Sequence, residues 1–96
     1  MTLHTLNASP ASAAFADCLR IIAAGDALLL LGDGVYAGLA GTAARAQLDA
    51  CGARLYLLRE DALAAGALER VEGIEAIDID GFVALSEQCP RQLAWY

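Results

Sequence analysis

The chain has 96 residues, of which 58% are hydrophobic, and a formal net charge of -6. This short length predicts one domain over residues 1–96 with a single small core. The acidic excess, with six arginines and no lysine, argues against direct binding to nucleic acid. The apolar run Leu28–Leu31 is too short to cross a membrane and no basic leader precedes an apolar segment, so we expect a soluble cytoplasmic protein.

The first predicted elements are a strand, a helix and a second strand. Leu3–Leu6 is typical of a short strand. Hydroxyl side chains at Ser9 and Ser12 predict a helix start, and Gly25 predicts its end. The apolar face of this helix, spaced i, i+3, i+4 and i+7, consists of Phe15, Cys18, Leu19 and Ile22. The unbroken apolar run Ala27–Leu31 then predicts a strand covered on both faces, at the centre of the core.

The next segment predicts helical structure. We expect one helical turn at Val35–Leu39 and a longer helix after it. Thr42 supplies a hydroxyl that caps this longer helix, and Gly52 closes it. Arg45 and Asp49 lie four residues apart, which predicts an exposed ion pair on the helix surface.

A third strand, a third helix and a fourth strand follow in the same alternation. Arg54–Leu58 predicts the strand, and Arg59–Ala65 predicts a short helix stopped by Gly66. Ala76–Ile79 predicts the fourth strand, after which Asp80 is positioned to cap the last helix.

The final elements complete the fold prediction. The last helix has one apolar side and ends at Pro90, and Arg91–Tyr96 is long enough for an edge strand. The apolar side of the helix consists of Phe82, Leu85 and Cys89. Strands that alternate with helices at this spacing predict a small three-layer α/β/α sandwich, with a mostly parallel sheet of about five strands.

The turn after the second strand carries a motif with its own functional interpretation. Residues Gly32–Ala37 read GDGVYA, which matches the G-x-G-x-x-A pattern of dinucleotide-binding proteins, and Glu60 lies just beyond the next strand. The motif follows the second strand rather than the first, and Gly38 and Gly41 interrupt the helix after it. A small nucleotide-binding module that uses Gly32–Ala37 is therefore the alternative function.

The three cysteines, Cys18, Cys51 and Cys89, lie far apart and lack the spacing of metal ligands. We therefore expect reduced thiols and neither a zinc site nor a secreted disulfide framework. Cys18 lies on an apolar helix face, which favours a core residue, whereas chemistry requires a reachable thiolate. Arg20 is two residues away, a spacing that does not bring two helical side chains together.

The other polar and aromatic candidates have ordinary structural interpretations. The single histidine, His4, is typical of a strand residue, and Asp78 and Asp80 are explained by an exposed face and a helix cap. Trp95 and Tyr96 are large aromatic residues that close a core or contact a partner, and an interface is favoured.

Four blocks of sequence cover nearly the whole chain in order: LHTLNASP, GDALLLLGDGVYAGLAG, ARLYLLREDALAAG and DIDGFVALSEQCPRQLAWY. Together they resemble the DsrH/TusB family. The resemblance implies a DsrEFH-like α/β fold and one subunit of a heterohexamer that contains two copies each of three related chains. The apolar excess of the composition is typical of a chain that buries surface against other subunits.

The resemblance also implies a role in a sulfur relay of the TusBCD or DsrEFH type. Such a complex passes persulfide sulfur between carrier proteins, for 2-thiouridine synthesis at the tRNA wobble position or for dissimilatory sulfur oxidation. The implied partners are sister subunits of the TusC/DsrF and TusD/DsrE types, together with upstream and downstream sulfur carriers. The principal sulfur-bearing cysteine belongs to the TusD/DsrE-type subunit, so we expect this chain to be a structural or accessory subunit rather than an independent enzyme.

Two sets of residues become candidates through the resemblance. Cys18, in FADCLRII, is similar to a cysteine of DsrH proteins and is the candidate sulfur acceptor, and Cys89, in SEQCP, is similar to a second DsrH position. The glycine turn becomes a fold signature whose apolar residues face a neighbouring subunit. The expected interface residues are Val35, Tyr36, Leu39 and Trp95.

Overall fold

The computed structural model describes residues 1–96 and contains five strands that alternate with four α-helices. The strands are β1 (Thr2–Leu6), β2 (Ala27–Leu30), β3 (Arg54–Leu58), β4 (Glu75–Ile77) and β5 (Arg91–Trp95). The helices are α1 (Ala13–Ile21), α2 (Ala43–Ala50), α3 (Arg59–Ala64) and α4 (Ile79–Gln88), with 3-10 helices at Gly32–Gly38 and Leu68–Arg70. None of the helices combines the length and apolar character that a membrane crossing requires.

The five strands form one sheet in the order β4-β3-β2-β1-β5, and every neighbouring pair is parallel. The predicted parallel α/β architecture is therefore confirmed. β2 lies at the centre of the sheet, and all four of its residues are completely buried. This position explains why its sequence is an unbroken apolar run, since a strand covered on both faces has no side for polar residues.

Helices cover both faces of the sheet, which gives three layers. Cys18 of α1 and Leu48 of α2 pack with Leu28 and Leu30 on one face. Leu85 and Cys89, at the end of α4, pack with Leu3 and Leu29 on the other face. The chain runs from β1 to β4 in one direction and then returns to β5 on the far side of β1. Right-handed crossovers place the returning helix on the opposite face.

Side-chain caps fix the starts of three helices. Ser12 Oγ accepts a hydrogen bond from the Phe15 N–H at 3.2 Å, and Thr42 Oγ1 accepts one from the Arg45 N–H at 3.2 Å, so both predicted caps are confirmed. The prediction of Asp80 as the third cap is wrong. Asp78 caps α4, because its Oδ1 accepts the Gly81 N–H at 2.8 Å and β4 ends at Ile77 rather than two residues later.

The helices α3 and α1 end in different ways. Gly66 follows α3 with a φ of +69°, the left-handed conformation that lets a glycine stop a helix, as predicted. Gly25 does not stop α1. That helix ends at Ile21 because Ile22 is already extended, with ψ at 138°, and Gly25 instead forms the turn into β2.

The 3-10 helix Gly32–Gly38 begins earlier than the helical turn that the sequence predicts at Val35–Leu39. Its start lies tightly against the end of β1. A Cβ atom at Gly34 would lie 2.0 Å from the carbonyl oxygen of Leu6, a distance that real side chains do not reach. Glycine is therefore required at position 34 by packing rather than by a ligand.

Arg45 lies inside the protein rather than in an exposed ion pair. Its Nε donates to Asp49 at 3.0 Å, and its two terminal nitrogens donate to the carbonyl oxygens of Gly38 at 2.8 Å and Glu72 at 2.6 Å. The side chain of Asp49 is exposed, whereas Arg45 is buried. The predicted pairing with Asp49 is confirmed, but the predicted exposure of Arg45 is wrong because this guanidinium connects three segments of the chain.

Candidate functional site

The glycine turn at the carboxyl end of β2 lines a cavity of about 250 Å³. Its lining residues are Gly32, Asp33, Tyr36, Asp61, Ala64 and Ala65. The Gly32 N–H, which a dinucleotide-binding turn would offer to a phosphate, donates to Asp61 Oδ2 at 2.8 Å. The lining contains two carboxylates and no basic side chain, so its charge repels phosphate. The geometry therefore opposes the nucleotide-binding alternative.

The three residues expected to form an apolar surface beside this turn differ in accessibility. Val35 is fully buried in the core, which leaves it no surface to offer a neighbouring subunit. Leu39 is half-buried against the same core, and Tyr36 exposes 39% of its surface. The predicted contact surface at the turn is therefore reduced to Tyr36 and part of Leu39.

Cys18, the candidate sulfur acceptor, lies on the core-facing side of α1 with 1% of its surface exposed. Burial raises the pKa of this thiol to about 12, and the nearby Cys51 thiol adds to the rise. A thiol in this state is protonated at neutral pH and is shielded from donors in solution. The placement favours the core role that the apolar helix spacing indicates.

The other two thiols lie on different elements. Cys89 is buried against the α4 face of the sheet. Cys51 follows α2, is half-buried, and its Sγ lies 3.0 Å from the carbonyl oxygen of Leu48, to which it donates. No group of three or more potential metal-ligating side chains is present in the chain.

The structure brings together three polar groups that sequence reasoning kept apart. His4 is 1% exposed, and its Nε2 lies 3.0 Å from Asp26 Oδ2. The Trp95 Nε1–H donates to His4 Nδ1 at 3.1 Å, and the planes of the two rings are nearly parallel, with an interplanar angle of 14°. We refer to these residues as the Asp26–His4–Trp95 chain. It connects the turn before β2, the middle of β1 and the end of β5.

Asp26 is held by more than the histidine. Its carboxylate also accepts the Thr2 N–H at 3.1 Å and the Ala23 N–H at 3.0 Å. Partial burial favours the neutral acid, but the hydrogen bonds from Ala23, Thr2 and His4 outweigh it and hold the pKa of Asp26 below its ordinary value. The sequence did contain a signal: Asp26 immediately precedes β2, and the amino ends of neighbouring parallel strands lie side by side.

The sequence predicts Trp95 at a subunit interface, and in the structure its ring also makes contacts within the chain. The indole is half-buried, packs against the main core and donates its only N–H to His4. Tyr96, the next residue, is 87% exposed.

Two solved structures have this fold. The ychN protein from E. coli covers 98% of this chain with 97% of its own, at a TM-score of 0.72 and 18% sequence identity. Protein Tm0979 from Thermotoga maritima covers 92% with 93% of its own, at a TM-score of 0.69 and 23% identity. These likenesses define the class of protein as a small parallel α/β fold.

Sequence comparison defines the family. The model of the family described as DsrH like protein matches residues 8–92. Proteins named Protein TusB from Pectobacterium parmentieri and Escherichia coli (strain K12) are 45% and 40% identical to this chain, each over 97% of this chain and 99% of the relative. The chain belongs to the DsrH-like family, as its four sequence blocks predict.

Proposed function

We propose that this protein is a structural or accessory subunit of a cytoplasmic, hetero-oligomeric sulfur-relay complex of the TusBCD or DsrEFH type. The observation that carries the proposal is 37–45% identity, over nearly the full length, to relatives named Protein TusB. Its partners are sister subunits of the TusC/DsrF and TusD/DsrE types and the sulfur carriers on either side of the complex. The name of these relatives favours the tRNA thiolation branch over sulfur oxidation.

The chemistry of such a relay is a transfer between thiols. An acceptor thiolate attacks the outer sulfur of a donor persulfide, a new sulfur–sulfur bond forms, and the donor leaves as a thiolate. The transfer needs no metal or organic cofactor and no oxidant, because one sulfur–sulfur bond replaces another.

The thiols of this chain support an accessory role. An acceptor must be reachable and deprotonated, whereas Cys18 is buried and its pKa is raised to about 12. Cys89 is also buried. We therefore assign the sulfur-carrying step to a partner subunit, and to this chain the completion of the assembly.

Co-expression with the two sister chains, followed by native mass measurement, tests the assembly. We expect one species that contains all three chains in equal numbers. A product in which this chain stays strictly monomeric, while the other two associate, would contradict the proposal. Loss of 2-thiouridine from cellular tRNA after deletion of this chain would place the complex in the tRNA branch, and unchanged 2-thiouridine would exclude that branch.

Loading the purified complex with persulfide sulfur from a cysteine desulfurase tests the assignment of the thiols. Peptide mass mapping should find the added sulfur on a partner subunit and none on Cys18, because a buried neutral thiol does not attack a persulfide. The complex unfolded before loading is the control, in which Cys18 becomes reactive. Added sulfur on Cys18 of the folded complex would make it an acceptor after all.

A further inference from the structure

The hydrogen-bonding chemistry of the Asp26–His4–Trp95 chain determines which nitrogen of His4 carries a proton. An indole N–H is a donor only, so His4 Nδ1 must accept it and carries no hydrogen. The proton of the neutral ring is therefore on Nε2, where it donates to Asp26 Oδ2 at 3.0 Å. Both ring nitrogens are satisfied only while the imidazole is neutral.

We propose that His4 is an acid-sensitive switch, and that protonation of its ring releases Trp95 and the end of β5 from the sheet. A proton on Nδ1 places two N–H donors face to face, with no acceptor between them. The ring keeps its bond to Asp26, which becomes a bond between opposite charges. Trp95 loses its acceptor and must leave or turn.

Charged and titratable groups lie on several of the elements around His4. Asp26, before β2, is the ionisable group that hydrogen-bonds to the ring, and β2 itself is entirely apolar. On β5, Arg91 is paired in register with Thr2 and is exposed to water. On α1, Asp17 and Arg20 pair with each other, and Cys18 remains a neutral thiol. The Met1 amino group precedes β1.

The position of β5 makes it the element that responds. It is an edge strand that pairs only with β1, and its first four residues, 91–94, are exposed. Trp95 is the one residue of β5 that is half-buried, so its ring supplies most of the side-chain contact between β5 and the core. Beyond the indole bond, the Trp95 carbonyl oxygen accepts the Asn7 N–H at 2.8 Å. Loss of the indole bond therefore also weakens the backbone pairing between the end of β5 and the end of β1.

Trp95 is the only tryptophan in the chain, so its fluorescence reports this event directly. We expect the emission maximum of the full-length protein to shift to longer wavelength, and quenching by acrylamide to increase, as the solution is acidified from neutral pH and the ring of His4 gains its proton. Far-ultraviolet circular dichroism should change little, because only the last residues of β5 leave the sheet. His4→Gln is the matched variant, since its amide can donate to Asp26 and accept from Trp95 without titrating. It should show neither change.

Nuclear magnetic resonance of the wild-type protein keeps the proposal testable if the variant fails to fold. The imidazole ¹⁵N signals should show Nε2–H and a bare Nδ1 at neutral pH, and the Trp95 indole proton should exchange faster as the ring protonates. A histidine with its proton on Nδ1 at neutral pH, or a ring that protonates without a change at the Trp95 indole, would overturn the proposal. Equal fluorescence changes in wild type and His4→Gln would also overturn it.

Discussion

At the scale of single residues, Asp26 shows how a carboxylate comes to hold two strands at their amino ends. Three N–H groups, from Thr2, Ala23 and His4, point at its two oxygens. Hydrogen bonds to the ionised form lower the pKa of Asp26 in the folded protein, despite partial burial that acts in the other direction. The ionised carboxylate therefore stabilises the fold at neutral pH.

The lowered pKa of Asp26 predicts a specific pH dependence. Its contribution is complete above the ordinary pKa of an aspartate, about 3.9, and is lost as pH falls from there through the lower folded pKa. Asp26→Asn should therefore lower the free energy of unfolding at pH 7, and the difference from wild type should shrink below about pH 4. Urea denaturation across this range measures it. Asp17→Asn, on the surface of α1, is the control, and a pH-independent difference for Asp26→Asn would contradict the assignment.

At the scale of elements, Arg45 connects α2 to the end of the 3-10 helix Gly32–Gly38 and to the loop before β4. The carbonyl oxygens of Gly38 and Glu72 both receive their hydrogen bonds from this guanidinium. The 3-10 helix that contains the glycine turn is thus held at its end by a side chain seven residues further along the chain.

Replacing Arg45 by methionine tests this connection. Arg45→Met keeps most of the length of the side chain but removes its donors, so it should lower the free energy of unfolding by about 2–4 kcal/mol, because two carbonyl groups lose their partners. Thermal or urea denaturation provides the measurement. Arg20→Met, at a side chain that is 74% exposed in an i, i+3 pair, should change stability by less than about 1 kcal/mol. Similar losses for the two variants would show that the connection is unimportant.

The sequence predicts elements well where the signal is local and less well where a residue takes part in distant contacts. The central strand, the caps Ser12 and Thr42 and the stop at Gly66 each depend on neighbouring residues, and the structure confirms them. The prediction that Asp80 caps α4 is wrong because it places the end of β4 at Ile79, two residues after the actual end at Ile77. The family and the fold are predicted from the order of the four sequence blocks, and this prediction does not depend on how side chains pack.

The candidate site is harder to predict because its members are far apart in the chain. His4 and Trp95 are 91 residues apart, and no spacing rule joins them. Val35 has the composition of a contact residue, but only the packing of the 3-10 helix on β2 shows that it is buried. Burial of Cys18 was indicated by its helix spacing, whereas the rise in its pKa depends on the complete core around it.

At the scale of the whole molecule, the proposed assembly predicts that the surface beside the glycine turn contacts a sister subunit. Tyr36 exposes 39% of its surface next to a cavity with two carboxylates. Tyr36→Asp should weaken association with the sister subunits, because it adds a third negative charge and removes an aromatic contact, while the isolated chain remains folded. Native mass measurement after co-expression gives the extent of association.

The control for this prediction is the same substitution at another exposed tyrosine. Tyr96 is 87% exposed and follows β5, at the same edge of the sheet as the glycine turn but separated from it by the end of β1. Tyr96→Asp should leave association unchanged if the turn forms the interface. Full association of the Tyr36→Asp variant, or an equal loss for both variants, would exclude the turn as the specific contact.

The pairing of β1 with β5 has a consequence for how the protein is made. β1 leaves the ribosome first among the strands, and its partner on one side, β2, follows within a few tens of residues. Its other edge remains without a partner until Arg91–Trp95 is translated. An open strand edge is a template for pairing with other chains. The β1 edge is therefore open to such pairing until β5 covers it, after which β5 itself is the exposed edge on this side of the sheet.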